Sequence, residues 1–297
     1  MNTRPIDVMI AGTQKGGTST LHQVLASHSS VGSHAQQEFG FFVSDELFSR
    51  GYEREAQRCF DRDAAAAEVL LAKSVGVMFM PVACERLRQH NPKCKVIVSL
   101  RNPFDRAISA YRYQVQVGRE DGDISFQNAL ERERNPEAAL DPDLIHVAYI
   151  QRGLYVNQLQ MLWQAFGRES VLVVRFESLR NQPETVYQEI QNFCGLRHEP
   201  LEVGRVENQT GDLVSPTVSR LARTPLARVL TSAIPPGLRE SAYQRLKGIS
   251  GRIERSVVPE VSSASFPDWA VERIVSDLRE LENLTGLDLH EWESPSR

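Results

Sequence analysis

The chain has 297 residues, 41% of them hydrophobic and 24% charged, with a formal net charge of −4. A polypeptide of this length buries a sizeable core and is most simply one domain with elaborations. The weakly acidic balance gives no overall pull toward nucleic acid or an anionic membrane, so neither is an expected partner and any anion site must be local.

The opening, MNTRPIDVMIAG, lacks the basic start and long apolar stretch of a signal peptide. No segment approaches the roughly 18 apolar residues of a membrane span. The four cysteines, Cys59, Cys84, Cys94 and Cys194, show neither CxxC nor zinc-site spacing. Sparse, unpatterned cysteine suits a reducing compartment, and the expectation is a cytoplasmic protein with unbridged thiols.

In chain order, the residues 7–12 are predicted as a strand and 18–28 as a helix, with Leu21, Val24 and Leu25 on one face. The runs 68–73 and 94–100 (CKVIVSL) are further buried strands, separated by a helix over 82–90. Short apolar β-branched runs buried on both faces are the signature of a parallel sheet. Asn102-Pro103 starts another helix through Val117, with proline in its favoured first turn. A long amphipathic segment, 148–166, is followed by a strand over 170–175 and a helix from Pro183 to Cys194. Repeated strand–helix–strand units imply a doubly wound α/β sheet flanked by helices, occupying about residues 1–200. From about Gly204 the pattern changes: 206–217 is loop-like, Pro235-Pro236-Gly237 breaks any helix, and 240–249 and 268–284 are helical. These helices are expected to cap the same domain.

The segment Val8–Leu21, VMIAGTQKGGTSTL, carries the strongest chemical signal. An apolar strand runs through Gly12 into a glycine loop and then a helix, an arrangement that holds phosphate. The glycines let backbone N–H groups close on the oxygens, the helix start adds partial positive charge, and lysine adds a full one. In the Walker A pattern the lysine follows the last glycine; here Lys15 precedes Gly16 and Gly17. The order points to a phosphate cradle that is not an ordinary ATP/Mg²⁺ site.

A second constellation lies in VIVSLRNPFDRAISAYRYQ, residues 96–114. A buried strand ends and presents Arg101, at the place where open α/β sheets bind ligands. Arg101 can fork onto a phosphate, and Ser109, two helical turns further on, can donate a hydroxyl to it. Taken alone, the pair would more simply be a sheet-capping arginine and a surface serine. Beside the glycine loop, the phosphate role becomes the better reading.

Together TQKGGTS and RNPFDRAISAY resemble the sulfotransferases that use 3′-phosphoadenosine 5′-phosphosulfate (PAPS), in the branch of heparan-type and many bacterial enzymes. EFGFF (38–42) is similar to that branch's KEPxFF, and AKSVGVMF (72–79) to its EK[ST]PxYF. RGLYVNQLQMLWQAF, VLVVRFESL, FCGL and LENLTGLDLHEW extend the likeness over nearly the whole chain. The resemblance implies that Lys15 binds the 5′-phosphosulfate and stabilises the leaving oxygen, and that Gly16, Gly17, Thr18, Ser19 and Thr20 cradle the same group. It implies that Arg101 and Ser109 hold the 3′-phosphate and that the reaction needs no metal ion. It assigns Glu38 as general base and puts Lys73 near the sulfate and acceptor, with PAP (the desulfated nucleotide) as product. A bacterial enzyme of secondary metabolism, acting on a small molecule, glycolipid or sugar hydroxyl or on an amine, is the expected setting.

Rival readings stay open at this level. His34 competes with Glu38 as base, because other sulfotransferases use histidine, and Lys73 could equally be a snorkelling lysine at a strand end. The family lysine and proline flanking the glutamate are Gln37 and Phe39 here, and the family glutamate and proline around Lys73 are Ala72 and Val75. Arg205, Asn208 and Arg220 are weak candidates for a loop closing over the nucleotide. A P-loop kinase or NTPase needs a Mg²⁺-holding aspartate at the end of an apolar strand, where this chain has Arg101-Asn102 and Arg175-Phe176-Glu177. A non-catalytic nucleotide-binding protein is the remaining alternative.

Overall fold

The computed structural model describes residues 4–135, 145–200, 261 and 266–294. The predicted helix over 240–249, the breaker at 235–237 and the loop candidates Arg205, Asn208 and Arg220 lie outside these residues. In chain order the strands are β1 (Val8–Gly12), β2 (Val31–Ser33), β3 (Val69–Lys73), β4 (Lys95–Leu100) and β5 (Val171–Arg175). Helix α1 (Thr18–Ala26) follows β1, and α2 (Asp45–Ser49), α3 (Tyr52–Cys59) and α4 (Arg62–Ala66) lie between β2 and β3. Then come α5 (Pro81–His90), α6 (Pro103–Gln116), α7 (Phe126–Glu131) and α8 (Tyr155–Phe166). Helices α9 (Phe176–Asn181), α10 (Pro183–Cys194) and α11 (Asp268–Thr285) complete the set. Among the described residues no helix is long and apolar enough to cross a membrane.

The described residues fall into two compact units, the first built from 4–102, 154–200 and 277–288. It holds the sheet, in the order β2-β3-β1-β4-β5, with every pairing parallel. β1 is central because all five of its residues are buried, which only an interior strand tolerates. Val8 and Ile10 pack with Leu21, Val24 and Leu25 of α1, Leu179 of α9 and Val186 and Ile190 of α10. Met9 and Ala11, which alternate with them, are also buried, so the sheet is covered on both faces. Each such side chain removed from water contributes about 1.5–3 kcal/mol. The layer fixes the carboxyl ends of β1, β3 and β4 side by side, where Ile10 pairs with Lys73 and Gly12 with Val98.

The second unit comprises 103–135, 145–153, 261, 266–276 and 289–294. Its core is a chain of edge-on and tilted aromatic contacts linking Phe104, Phe266, Phe126, Tyr111 and Tyr149. The buried Glu133 carboxylate accepts the backbone N–H groups of Tyr149, Ile150 and Gln151, while buried Arg106 donates to the Tyr149 carbonyl.

These contacts divide the long amphipathic segment 148–166. Its first part is irregular chain and a 3₁₀ turn (Gln151–Gly153), since a carboxylate rather than a helical ladder satisfies its N–H groups. The helix proper starts at Tyr155, in the first unit, where the Asp277 carboxylate accepts from the N–H groups of Tyr155 (2.6 Å) and Val156 (3.3 Å). The other predicted strands and helices are present within one or two residues at most ends. Three-residue β2 and the short helices α2 to α4, α7 and α9 have no periodicity long enough to read.

Burial lifts the Asp277 carboxyl from 3.8 to about 6. The folded chain therefore binds a proton that the unfolded chain releases, and this contribution to stability is full below about pH 4 and lost as pH rises through 6. Compared with Asp277→Asn, the wild-type chain is expected to lose stability by a few kcal/mol between those limits, at about 1.4 kcal/mol for each step of one in pH. Denaturant titrations at both pH values measure the difference.

Candidate active site

The loop from β1 to α1 is shaped by contacts that leave no room for side chains at its glycines. A Cβ on Gly16 would stand 2.4 Å from the Ser99 carbonyl oxygen, and one on Gly17 would stand 2.7 Å from the Phe176 ring. Gly17 is also left-handed (φ 78°), a conformation glycine adopts without steric cost. The Gly16 N–H donates to the Thr13 carbonyl (3.0 Å), the Thr13 N–H to the Ser99 carbonyl (3.0 Å), and the Ser99 hydroxyl to the Gly16 carbonyl (2.6 Å). The loop is thus laced to β4 on one side.

Helix α1 begins straight from this loop. The Leu21 N–H makes the first intrahelical bond, to Gly17, so the N–H groups of Thr18, Ser19 and Thr20 precede the helical ladder. No acidic residue stands in this first turn and Gly17 supplies no side-chain cap, leaving the turn suited to an anion. Thr18 is buried, Thr20 half-buried and Ser19 exposed.

Cations flank the loop on both sides because the neighbouring strands end in them. Arg101, just past β4, donates to the Lys15 carbonyl (3.2 Å), and its guanidinium lies over the Phe176 ring, 4.8 Å from the centroid. The Tyr155 hydroxyl donates to the Arg101 carbonyl (2.7 Å), which fixes the backbone. Lys15 itself is left-handed (φ 69°), unusual for a residue with a side chain and costing about 1–2 kcal/mol. Burial and, second, the Arg101 charge push the Lys15 ammonium down to about 8.

On the other side Lys73, last residue of β3 and 2% exposed, reaches two partners. Its ammonium donates to Glu38 Oε1 (2.8 Å) and Ser19 Oγ (3.3 Å). Glu38 Oε2 accepts from the Val75 N–H (2.9 Å), so a carboxylate with 37% exposure is held at both oxygens. Each oxygen keeps a second lone-pair site, which is what a proton acceptor needs. His34 is 3% exposed and its Nε2 accepts from the Lys73 backbone N–H (3.0 Å). That nitrogen is occupied, and burial, with the nearby Lys73 charge, holds the ring down at about 4.

Of the residues singled out from sequence, Lys15, Gly16, Gly17, Thr18, Ser19, Thr20, Glu38, Lys73 and Arg101 thus meet around one loop of the first unit. Ser109 is half-buried on α6 in the second unit, and its link to a phosphate rests on the sequence motif. Sequence reasoning missed Ser99 and Phe176. A lone serine in the apolar run of β4 was the available signal for Ser99, whereas the place of Phe176 against Gly17 and Arg101 depends on parallel neighbours far apart in the chain.

Lysine-selective NMR is expected to give a Lys15 titration midpoint near 8. Arg101→Leu should move that midpoint upward, because it removes a like charge; an unchanged or lower value would contradict the geometry.

The family profile described as "Sulfotransferase domain" matches residues 5–212. Human heparan sulfate glucosamine 3-O-sulfotransferase 5 is 27% identical over 192 residues, 63% of this chain and 53% of that protein. The bifunctional heparan sulfate N-deacetylase/N-sulfotransferase 1 of Xenopus laevis is 24% identical over 195 residues, 64% of this chain and 22% of its own length. The chain therefore spans 53% of the first relative and far less of the second. Among solved structures, a sulfotransferase from Alicyclobacillus acidocaldarius superposes with a TM-score of 0.63 at 24% identity, covering 97% of this chain and 98% of that one. That likeness concerns the fold.

Proposed function

This chain belongs to the sulfotransferase domain family, and from that premise we propose that it moves a sulfuryl group from PAPS to a hydroxyl of a carbohydrate or small-molecule acceptor, releasing PAP. The observation that carries the reading is the pair of cations beside the glycine loop. The strands on either side of β1 end in Lys73 and Arg101, each hydrogen-bonded into the loop, at positions open to a metal-holding carboxylate in an ATP enzyme. A loop of this kind suits a donor with two separated anionic groups.

The residues fit such a nucleotide. The glycines let the loop pack directly against Ser99 and Phe176, where any Cβ would collide, and the first turn of α1 offers backbone donors without a competing carboxylate. When bound, the donor supplies a sulfur centre at which a bond to the acceptor oxygen forms while the bond to the phosphate oxygen breaks. Lys15 and the N–H groups of Gly17 to Thr20 hold the 5′ end and stabilise charge that grows on the departing phosphate. Arg101 binds the 3′-phosphate, joined on sequence grounds by Ser109. Burial and, second, the Arg101 charge depress the Lys15 ammonium, and an anion bound between the two cations would offset that second cause.

Glu38 takes the proton of the acceptor hydroxyl as attack proceeds. Its support over His34 is geometric: Glu38 is partly exposed with lone pairs to spare, whereas His34 is buried with Nε2 already accepting. Lys73 holds the carboxylate in place and, through Ser19, connects it to the start of the cradle. One relative is named as a heparan sulfate glucosamine 3-O-sulfotransferase and the other as a heparan sulfate N-sulfotransferase, which supports a sugar hydroxyl or amine as acceptor. All four cysteines are buried and unbridged, which supports work in a reducing compartment.

Glu38→Gln keeps the size of the side chain and removes its basicity. Transfer of labelled sulfate from PAPS is expected to fall by about 10²–10⁴-fold, with PAP affinity within about threefold of wild type. Unchanged turnover would show that another group is the base.

A further inference from the structure

The position of Lys73 depends on how the sheet opens beside it. β2 and β3 pair in register from Val31–Val69 to Ser33–Leu71, and there β2 leaves the sheet. The chain bulges outward over 35–38, carrying Glu38, and returns where the Phe39 N–H donates to the Lys73 carbonyl (2.7 Å). A continued β2 would have offered a backbone acceptor to the N–H group of Lys73. In its place the His34 side chain accepts through Nε2 at 3.0 Å, in a position that is 3% exposed.

The His34 ring is itself braced. His22, on α1, lies 4.6 Å away centroid to centroid, and its Nε2 meets Ser33 Oγ at 2.6 Å. The Ser33 hydroxyl donates its one proton to the Leu71 carbonyl (3.0 Å), so His22 must be the donor in that contact. Phe39 and Phe60 close around His34, with centroids 5.8 and 5.9 Å away. The titratable groups acting on His34 are thus His22 from α1 and Lys73 from β3, with burial adding to the pressure against charge.

We infer that His34 is a positioning residue: its neutral ring, protonated on Nδ1, replaces the missing strand as acceptor for the Lys73 N–H and thereby holds the ammonium between Ser19 and Glu38. The inference rests on the proposed sulfuryl-transfer chemistry for its catalytic consequence, but its structural half stands independently. The N–H of Lys73 needs an acceptor whatever the enzyme does, since an unmatched buried donor is costly.

The test combines three variants with three readouts. Imidazole ¹⁵N spectra of the wild-type protein are expected to show His34 neutral and protonated on Nδ1 between about pH 6 and 8. A proton on Nε2, or a titration within that range, overturns the inference. His34→Leu removes the acceptor and should lower kcat about 10–100-fold, as a misplaced catalytic group does. KM for PAPS, and PAP binding by calorimetry, should stay within about threefold. His34→Gln, whose side-chain oxygen can reach the same N–H, should recover most of the loss. Equal damage from Gln and Leu, or a loss appearing in PAP binding instead of kcat, overturns the positioning role. Glu38→Gln runs beside them: if that variant is crippled and His34→Leu is not, the inference alone fails. If Glu38→Gln turns over normally, the proposed base fails, and the ¹⁵N result still judges the hydrogen bond.

Discussion

Everything at this site depends on a hydrogen-bonded loop wedged between two strand ends that both carry positive charge. Arg101 pulls on the Lys15 carbonyl from β4, and Lys73 reaches the Ser19 hydroxyl from β3. Burial first, and the Arg101 charge second, depress the Lys15 ammonium, while Lys73 is already paired with Glu38. The parallel sheet makes the arrangement possible, because adjacent parallel strands deliver their last residues to one edge. The glycines then bring the loop so near to Ser99 and Phe176 that backbone donors, rather than side chains, face outward.

The Glu38 carboxylate, proposed as the base, follows from the same edge by a different route. β2 ends two residues before β3 does, in terms of their pairing, and the departing chain carries Glu38 over the gap. The ion pair with Lys73 is not simply a stabilising bridge. One partner is buried and the other partly exposed, so the Coulomb gain is set against loss of hydration at the lysine. Its evident use is orientation: the ammonium is shared between Ser19 of the cradle helix and the carboxylate, linking the donor end of the site to the acceptor end.

Much of this was legible in the sequence. β1, β3, β4 and β5 are apolar runs whose burial on both faces makes them read as parallel strands, and the glycine loop announces itself by composition. Lys15 and Arg101 could be singled out because one lies three residues past β1 and the other directly past β4, both recognisable strands. What stayed hidden has a common cause. The division of the amphipathic segment 148–166 comes from Glu133 and Asp277, carboxylates outside that segment that accept its backbone N–H groups. The acceptor role of His34 likewise depends on where β2 stops relative to β3, and no local pattern of residues encodes that register. The two units contain the paired phosphate motifs separately, Arg101 in one and Ser109 in the other, and only their spacing along the chain joins them.

The loop between β1 and α1 is proposed to grip a nucleotide carrying anions at both its 3′ and 5′ positions. Titration calorimetry with PAP and with ATP, each with and without Mg²⁺, tests it most directly. The account predicts PAP binding that is indifferent to Mg²⁺ and at least about tenfold tighter than ATP under either condition, a gap of roughly 1.4 kcal/mol. ATP binding that matches or exceeds PAP once Mg²⁺ is added would contradict it.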